Sequence, residues 1–368
     1  MLDRLPVTGR VLEGGEARRR LARAAALPAR GSDHGRRADQ TAEEKRSQPL
    51  CPRLSVHATI VRSSFVMKLN GVDRAVQTDA RAEPVRPEDG TASGASVICT
   101  LGDLLLDVIV LAPQPLAPGA DTPVEARLSS GGQAANVASW VAELGGSARL
   151  IAKRADDEAG RLARSLLEGR GVEVAGPVGE GRTGVVVAFV GPDGDRSMAT
   201  DRGVAPELRA DELEPDLFAG CTWLHVSGYS LLAEPIGEGA LAAARLARQE
   251  GGRVSVDLSS WSTIREHGAQ RFRAKVEELA PDVVFANEAE WEMLGGAYAH
   301  AETAVVKRGS RGVEVRTWAG VEEHAPLGAA VVDTTGAGDA LAAGFLVGGI
   351  DLGLEASARC IRRLGAVP

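Results

Sequence analysis

Residues 333–345 read DTTGAGDALAAGF, and this stretch does more than any other to predict the fold. Gly336, Ala337 and Gly338 directly precede an apolar run, so they would leave backbone N–H groups unpaired at the start of a helix. Such N–H groups, at the positive end of the helix dipole, bind anions such as a phosphoryl group. Asp339 would then lie on the first helical turn, where its carboxylate could take a proton from a hydroxyl.

A shorter piece of this stretch has an ordinary structural explanation. A lone Gly-x-Gly-Asp is also consistent with a tight turn followed by an acidic residue that the helix dipole favours. The complete string, with Val331-Val332 before it and Ala342-Ala343 after it, is more specific than that. It predicts an anion-binding turn beside a general base.

A second motif lies upstream, where residues 130–138 read SGGQAANVA. The adjacent glycines Gly131 and Gly132 carry no Cβ, so their backbone can approach a polyhydroxylated ligand closely. Asn136 can both donate and accept a hydrogen bond. Taken alone, the glycine pair is equally consistent with a common turn between a strand and a helix.

The two motifs, in this order, resemble the two signatures of the ribokinase-like (PfkB) carbohydrate kinases. The resemblance implies an α/β fold in which helices flank a mostly parallel central sheet and a small β-sheet forms a lid. It implies ATP-dependent phosphorylation of a hydroxyl group on a small sugar, with Mg²⁺ bound alongside ATP. Asp339 would be the catalytic base, and Gly336, Ala337 and Gly338 would form the anion hole.

The resemblance also assigns binding residues. The sugar would be bound by Asp107, Asp103, Gly131, Gly132, Gln133, Asn136 and Arg202. The nucleotide would be bound by Asn287, Glu290, Lys307, Gly309, Gly312 and Thr334, with Glu290 holding Mg²⁺ through water. The family's precedent of potassium activation points to Asp333 as a ligand of K⁺. Each assignment has a structural alternative: a solvated strand end for the aspartates, a surface ion pair for Arg202, and a helical first turn for Glu290.

Other phosphate-handling and hydrolytic motifs are absent from the sequence. No lysine follows a glycine, which excludes the P-loop Gly-Lys-Ser/Thr. There is no His-Arg-Asp of a protein-kinase catalytic loop and no Gly-x-Ser-x-Gly nucleophile elbow. The turn at Gly336 and Gly338 lacks the third glycine of a dinucleotide-binding fingerprint.

Composition divides the 368 residues into two parts. Residues 1–95 hold 17 basic and 12 acidic side chains and little apolar periodicity, which predicts a disordered N-terminal extension outside the family resemblance. Residues 96–368 hold 25 basic and 38 acidic side chains and form the predicted kinase domain. This acidic balance argues against nucleic acid as a partner.

Hydropathy and cysteine spacing indicate the cellular compartment of the protein. No apolar run approaches the ~20 residues that cross a bilayer, so no membrane association is expected. Cys51, Cys99, Cys221 and Cys360 have neither metal nor disulfide spacing, which favours a reducing cytoplasm.

From residue 97 onward, predicted strands and helices alternate, as in a parallel sheet covered on both faces. The predicted strands are 97–101, 148–152, 223–226, 253–258, 282–285 and 303–307. The predicted helices are 134–144, 157–168, 237–249, 271–279, 337–347 and 355–364. Two segments interrupt the alternation, at about 108–130 and 183–202, and match the family's lid; the latter contains a hairpin signal at 192–195.

The sequence leaves the substrate, the catalytic activity and the oligomeric state open. Leu105-Leu106-Asp107 is also typical of nucleoside kinases of the same superfamily, so a nucleoside is the alternative substrate. Only 29 residues follow Asp339, fewer than in most relatives, so a non-catalytic sugar- or nucleotide-binding protein is the alternative if the ATP site is disabled. The resemblance also allows a homodimer formed through the lid.

Overall fold

The computed structural model describes residues 96–191, 196–296 and 301–368. The predicted extension 1–95 and the hairpin turn at 192–195 lie outside the described residues. The described strands, in chain order, are β1 (Val97–Leu101), β2 (Leu105–Leu111), β3 (Glu125–Gly131), β4 (Ser147–Ile151), β5 (Arg154–Ala155), β6 (Val172–Ala175), β7 (Val178–Gly179), β8 (Thr183–Val190), β9 (Arg196–Gly203), β10 (Cys221–Ser227), β11 (Arg253–Asp257), β12 (Val283–Asn287), β13 (Thr303–Lys307), β14 (Val313–Thr317) and β15 (Gly320–His324).

The described helices cover this framework. They are α1 (Gln133–Glu143), α2 (Glu158–Glu168), α3 (Gly228–Leu231), α4 (Ile236–Gln249), α5 (Trp261–His267), α6 (Ala269–Leu279), α7 (Glu288–Met293), α8 (Ala337–Gly348) and α9 (Ile350–Cys360), with short 3₁₀ turns at Ala205–Glu207, Ala210–Glu212, Pro215–Phe218 and Gly309–Arg311. In the part of the chain that the structure describes, none of these helices has the length and apolarity needed to cross a bilayer.

A nine-stranded sheet forms the centre, in the order β15-β14-β13-β12-β11-β10-β1-β4-β6. The strands from β13 to β6 pair in parallel, whereas β14 and β15 add an antiparallel edge. The inner parallel strands are buried on both faces over most of their length, whereas the edge strand β6 alternates buried and exposed residues. All six strands predicted from this pattern are present, and the α/β fold class is confirmed.

Two apolar clusters, one on each side of the sheet, hold the layers together. One packs α4 and α6 against the sheet through side chains such as Leu241 and Phe272, which are almost fully buried. The other packs α1 and α8 through Trp140 and Leu341. Alternating strands and helices therefore produce a three-layer domain, as the sequence predicts.

A separate four-stranded sheet has the order β3-β2-β8-β9 and is called the small sheet below. It corresponds to the two segments that interrupt the strand–helix alternation. Both outer pairs are antiparallel, while β2 and β8 run parallel, an arrangement that the long connection between them permits. The short connection from β1 to β2 places the start of the small sheet beside the carboxyl end of a central strand.

The last helix differs from the prediction of 355–364. It begins at Ile350 and ends at Cys360, so it includes Gly353, which the sequence analysis placed in the preceding loop. Gly353 is a close-packing residue: a Cβ there would lie 2.8 Å from the carbonyl oxygen of Leu341 in α8. Gly344 has the reciprocal role in α8, since its Cβ would lie 2.5 Å from the carbonyl oxygen of Leu352. The glycines bring the two helices together rather than ending one of them.

Candidate active site

Four neighbouring parallel strands end in polar residues at one edge of the central sheet. Ser227, Asp257, Asn287 and Lys307 are the last residues of β10, β11, β12 and β13, respectively. The registers place Asp257 opposite Ser227, and Lys307 opposite Asn287. Because ligands of such sheets bind beyond the carboxyl ends of the strands, these residues define the edge of a candidate site.

The anion-binding turn lies at this same edge. Gly336 precedes α8 with φ +74°, a left-handed conformation that favours glycine, and a Cβ there would lie 2.5 Å from Cα of Ala366. The amide of Ala337 donates to the carbonyl oxygen of Thr334 at 3.3 Å, a long bond, whereas the amides of Gly338 and Asp339 have no partner within the helix itself. Lys307 lies directly against them, since its Nζ is 3.1 Å from the position of a Cβ on Gly338. A positive charge therefore adjoins the turn predicted to hold an anion.

Lys307 is held in place by Asp257. Its Nζ donates to Oδ2 of Asp257 at 2.5 Å, and the Asp257 side chain is 2% exposed. Burial by itself lowers the pKa of the Lys307 ammonium, but the carboxylates of Asp257 and Glu290 raise this pKa above its usual value. The ammonium is therefore protonated throughout the physiological pH range.

Asp339 lies on the first turn of α8, as predicted. Its Oδ2 accepts a hydrogen bond from Nδ2 of Asn136 at 2.9 Å, which joins the two sequence motifs. Burial, together with the negative charge of Asp257, raises the pKa of Asp339 to about 7, although the bond from Asn136 and the charge of Lys307 oppose this shift. A carboxyl group with this pKa can take up a proton near neutral pH.

Asn287 and Glu290 form a capping box at the start of α7. Asn287 Oδ1 accepts from the Glu290 amide at 2.9 Å, and Glu290 Oε2 accepts from the Asn287 amide at 2.8 Å. Glu290 is 2% exposed, and burial followed by the charge of Asp257 raises its pKa. Glu290 therefore lies in a helical first turn, as its structural alternative predicted. In this position it is a second buried carboxyl group close to Asp257.

Asp107 lies against the glycine pair. A Cβ on Gly131 would fall 1.8 Å from Asp107 Oδ1, so only glycine fits beside this carboxylate. Gly132 has φ +99°, and a Cβ there would lie 2.2 Å from the carbonyl oxygen of Asp103. Burial raises the pKa of Asp107 to about 6, while the charge of Arg196 opposes the shift. Gly131 therefore leaves room for the Asp107 side chain, and Gly132 leaves room for the backbone of Asp103.

Two buried oxygen atoms at this place lack partners. Asp107 Oδ1 and Asn136 Oδ1 have no hydrogen-bond partner among the described residues. A buried acceptor without a donor is costly, so each atom is suited to accept from a ligand hydroxyl. Gln133, by contrast, is occupied, because its Oε1 accepts from the hydroxyls of Ser227 at 2.6 Å and Ser259 at 2.5 Å.

Asp103 and Arg202 bind each other. Arg202 donates from Nε to Asp103 Oδ2 at 2.6 Å and from Nη2 to Oδ1 at 2.8 Å, a bidentate ion pair. The ion-pair alternative for Arg202 is therefore the observed arrangement, although the pair is largely buried. Arg202 fixes β9 of the small sheet to the loop that follows β1.

A groove of about 520 Å³ runs from Lys307 along α8 and α9. The predicted nucleotide residues Lys307, Gly309, Gly312 and Thr334 all line it. Its remaining lining is mostly apolar and includes Val313, Pro326, Leu327, Val331, Leu341, Leu354, Ala358 and Ile361. Although few residues follow Asp339, α9 and the segment after it supply one wall of this groove.

Two residues of the site, Asp257 and Arg196, were not predicted from the sequence. Asp257 is the last residue of β11, as Asn287 is of β12 and Lys307 is of β13, but the predicted strand 253–258 placed it one residue before the strand end. Arg196 begins β9 and donates from Nη2 to Asp333 Oδ2 at 2.5 Å. Its partner is 137 residues away in the sequence, so no local pattern indicates the contact.

Comparisons with known proteins agree with this geometry. Residues 96–366 match the family described as "pfkB family carbohydrate kinase". The chain is 34% identical to the ATP-dependent ribose-1-phosphate kinase of Halopiger xanaduensis, over 67% of this chain and 83% of that protein. It is 29% identical to a fructokinase of Escherichia coli, over 73% of this chain and 89% of the relative.

Solved structures show the same fold. A probable sugar kinase from Rhizobium etli superposes with a TM-score of 0.65 at 27% identity, covering 74% of this chain and 95% of that one. Adenosine kinase from Sinorhizobium meliloti gives a TM-score of 0.64 at 28% identity, covering 75% and 96%. The chain therefore belongs to the pfkB family of carbohydrate kinases, has the ribokinase-like fold, and is an ATP-dependent sugar or nucleoside kinase.

Proposed function

We propose that this kinase transfers the γ-phosphoryl group of ATP to a hydroxyl of a small, uncharged sugar. The observation that carries the proposal is the position of Asp339, whose carboxyl group has a pKa of about 7 and lies on the same helical turn as the anion hole. Asp339 would remove the proton of the attacking hydroxyl as the bond to phosphorus forms. The amides of Gly336, Ala337 and Gly338 would bind the transferring group.

Lys307 would add a fixed positive charge to this anion hole. Its ammonium adjoins Gly338 and is oriented by Asp257, so it needs no rearrangement when negative charge develops on the phosphoryl oxygens. The γ-phosphate of ATP would lie at this turn, and the rest of the nucleotide would extend into the groove beside α8 and α9.

The donor set also fits a magnesium ion bound through water. Glu290 and Asp257 are buried carboxylates close enough for the charge of one to raise the pKa of the other. Their oxygens already accept hydrogen bonds from Asn287 and Lys307, so coordination through water is more compatible with them than direct contact. Mg²⁺ held there would offset the negative charge of the triphosphate.

Charge at the acceptor side favours a neutral substrate. Among the described residues, Arg202 forms its ion pair with Asp103 and Arg196 forms its ion pair with Asp333, so neither Asp107 nor Asp339 has an ion-pair partner of its own. The charges of Arg196 and Lys307 act on these two carboxyl groups only from their pairs with other carboxylates. A sugar that already carries a phosphate would be repelled there. Asp107 Oδ1 and Asn136 Oδ1 would instead accept hydrogen bonds from sugar hydroxyls.

A nucleoside is the second candidate acceptor. The S. meliloti adenosine kinase matches 75% of this chain at 28% identity, so the fold accommodates either class. A nucleoside shares the ribose hydroxyls that Asp107 and Asn136 would bind. The two classes differ in the base, for which the acceptor residues named above provide no particular partner.

A screen of acceptors tests the proposed function. Acceptor-dependent release of ADP would be measured with fructose, ribose, ribose 1-phosphate and adenosine. We expect turnover with a neutral sugar and little with the phosphorylated one. Turnover chiefly with adenosine would establish the second candidate, whereas turnover chiefly with ribose 1-phosphate would overturn the charge argument.

Substitution of Asp107 should affect the acceptor alone. Asp107→Ala removes a charged hydrogen-bond acceptor and should raise KM for the sugar roughly 10- to 100-fold, with KM for ATP nearly unchanged. Steady-state kinetics with each substrate varied in turn measures this. Asp201→Ala, at an exposed position of β9, is the matched control. Equal losses for sugar and ATP would place Asp107 outside the acceptor site.

The turnover number should depend on pH through Asp339. Because its pKa is raised to about 7, the carboxyl group is largely protonated and inactive as a base at pH 6 but ionised at pH 8. We therefore expect kcat to rise with pH and to level off above an inflection near 7. A kcat that is constant from pH 5.5 to pH 8.5 would exclude Asp339 as the base of the rate-limiting step.

A further inference from the structure

The carboxylate of Asp333 has a complete set of donors. Oδ1 accepts from the amide of Thr335 at 2.9 Å and from its hydroxyl at 2.8 Å. Oδ2 accepts from the amide of Gly365 at 2.8 Å and from Arg196 Nη2 at 2.5 Å. Each oxygen thus has two donors, and the side chain is only 10% exposed.

These contacts join three parts of the molecule at the start of the anion-hole turn. The bonds from Thr335 fix the backbone that leads into Gly336, and the bond from Gly365 fixes the segment that packs on Gly336 through Ala366. The bond from Arg196 connects the small sheet to the turn, because Arg196 is the first residue of β9. The geometry of the turn therefore depends on Asp333 and its partners.

Arg196 is the only positively charged partner of Asp333 among these donors. Its side chain is 17% exposed, and its charge partly opposes the rise that burial causes in the pKa of Asp107 on β2. Its Nε is buried without a hydrogen-bond partner among the described residues, and its Nη2 donates to Asp333. A partly buried, charge-assisted bond of this kind is stronger than a surface ion pair.

Asp333 does not fit the potassium ion that the family resemblance would place on it. A monovalent cation requires free oxygen lone pairs, whereas both oxygens of Asp333 already accept two hydrogen bonds each. A second positive charge beside the guanidinium would also be repelled.

We propose that Arg196 is a positioning residue that takes the place of a monovalent cation at Asp333. Its guanidinium neutralises the Asp333 carboxylate and holds the turn from 333 to 338 in the shape that binds the phosphoryl group. The kinase consequently needs no potassium for activity. Because Arg196 belongs to the small sheet, the same contact ties closure of that sheet to the shape of the anion hole.

Exchange of the cation in the buffer tests the first part of the proposal. The melting temperature of the full-length protein would be compared in KCl, NaCl and tetramethylammonium chloride at equal ionic strength of about 0.1 M. We expect one melting temperature in all three salts, and a kcat that varies by less than about twofold. A melting temperature or kcat that rises saturably and only with K⁺ would overturn the proposal. The melting measurement needs no substrate, so it is independent of the proposed function.

Replacement of Arg196 tests the second part. Arg196→Ala should lower kcat roughly 10- to 100-fold through displacement of the anion-hole turn, with KM for the sugar changed much less. Arg196→Lys keeps the charge and should recover most of the lost kcat. Arg182→Ala is the matched control, because Arg182 forms an exposed ion pair with Asp201 in the same sheet. A lower melting temperature with unchanged kcat, or a change confined to KM, would show that Arg196 does not position the anion hole.

Discussion

Asp339→Asn is expected to lower kcat roughly 10²- to 10⁴-fold, the range for loss of a general base. The asparagine amide keeps the size of the side chain but cannot accept the proton of the attacking hydroxyl. Binding of both substrates should change little, because the asparagine Oδ1 can still accept the hydrogen bond from Asn136 and the anion hole is unaltered. Steady-state kinetics on the purified variant, with ATP and acceptor varied in turn, measures the effect. A kcat close to that of the wild type would remove Asp339 from the mechanism.

The stability of the same variant distinguishes loss of the base from loss of the fold. The pKa of Asp339 is about 7 in the folded protein against a usual value of 3.8, so its carboxyl group ionises at a lower pH in the unfolded chain than in the folded protein. Ionisation of Asp339 therefore costs the folded state stability as pH rises from about 4 to about 7. At pH 8, Asp339→Asn should melt no lower than the wild type. Asp351→Asn, at an exposed first-turn position in α9, is the control, with unchanged kcat.

Lys307→Met is expected to lower kcat roughly 10²- to 10³-fold, as does removal of a single donor from an oxyanion hole. Lys307 adjoins Gly338, so its charge acts on the transferring phosphoryl group, and methionine keeps the length of the side chain without the charge. KM for the acceptor should be nearly unchanged because Asp107 lies on another element. Unchanged kcat in the variant would contradict the assigned position of the γ-phosphate.

The single variant leaves Asp257 as a buried carboxylate without its cation, which is destabilising. Lys307→Met combined with Asp257→Asn removes both charges, so the melting temperature should recover while kcat stays low. Recovery of both quantities would mean that Lys307 only compensates the charge of Asp257. Lys275→Met is the control, because Lys275 has the same 19% side-chain exposure and pairs with Glu238 on the neighbouring helix α4.

Local sequence patterns were sufficient to predict the framework of the site. Apolar runs fixed the parallel strands, and small residues before an apolar stretch predicted the turn from Gly336 to Gly338 and the place of Asp339 on α8. These features depend on residues that are neighbours in the sequence. The hydrogen bond between Asn136 and Asp339, 203 residues apart, was not predicted from the two motifs.

The partners of the charged side chains could not be predicted in this way. Asp257 and Lys307 are 50 residues apart, and Arg196 and Asp333 are 137 residues apart. The first pairing depends on the strand order of the central sheet and the second on the placement of the small sheet, and no local pattern contains either. The start of the last helix was predicted too late for a similar reason. Gly353 suggested a loop, but it lies within α9, where its lack of a side chain allows close packing on α8.

Single-turnover transfer from ATP labelled in its γ-phosphoryl group tests the central claim most directly. The wild type and Asp339→Asn would be mixed with labelled ATP and the acceptor that the screen identifies. The account predicts that the wild type moves the label to the acceptor hydroxyl and that the variant does so roughly 10²- to 10⁴-fold more slowly. Equal rates in the two proteins, or label released as inorganic phosphate whether or not the acceptor is present, would contradict it.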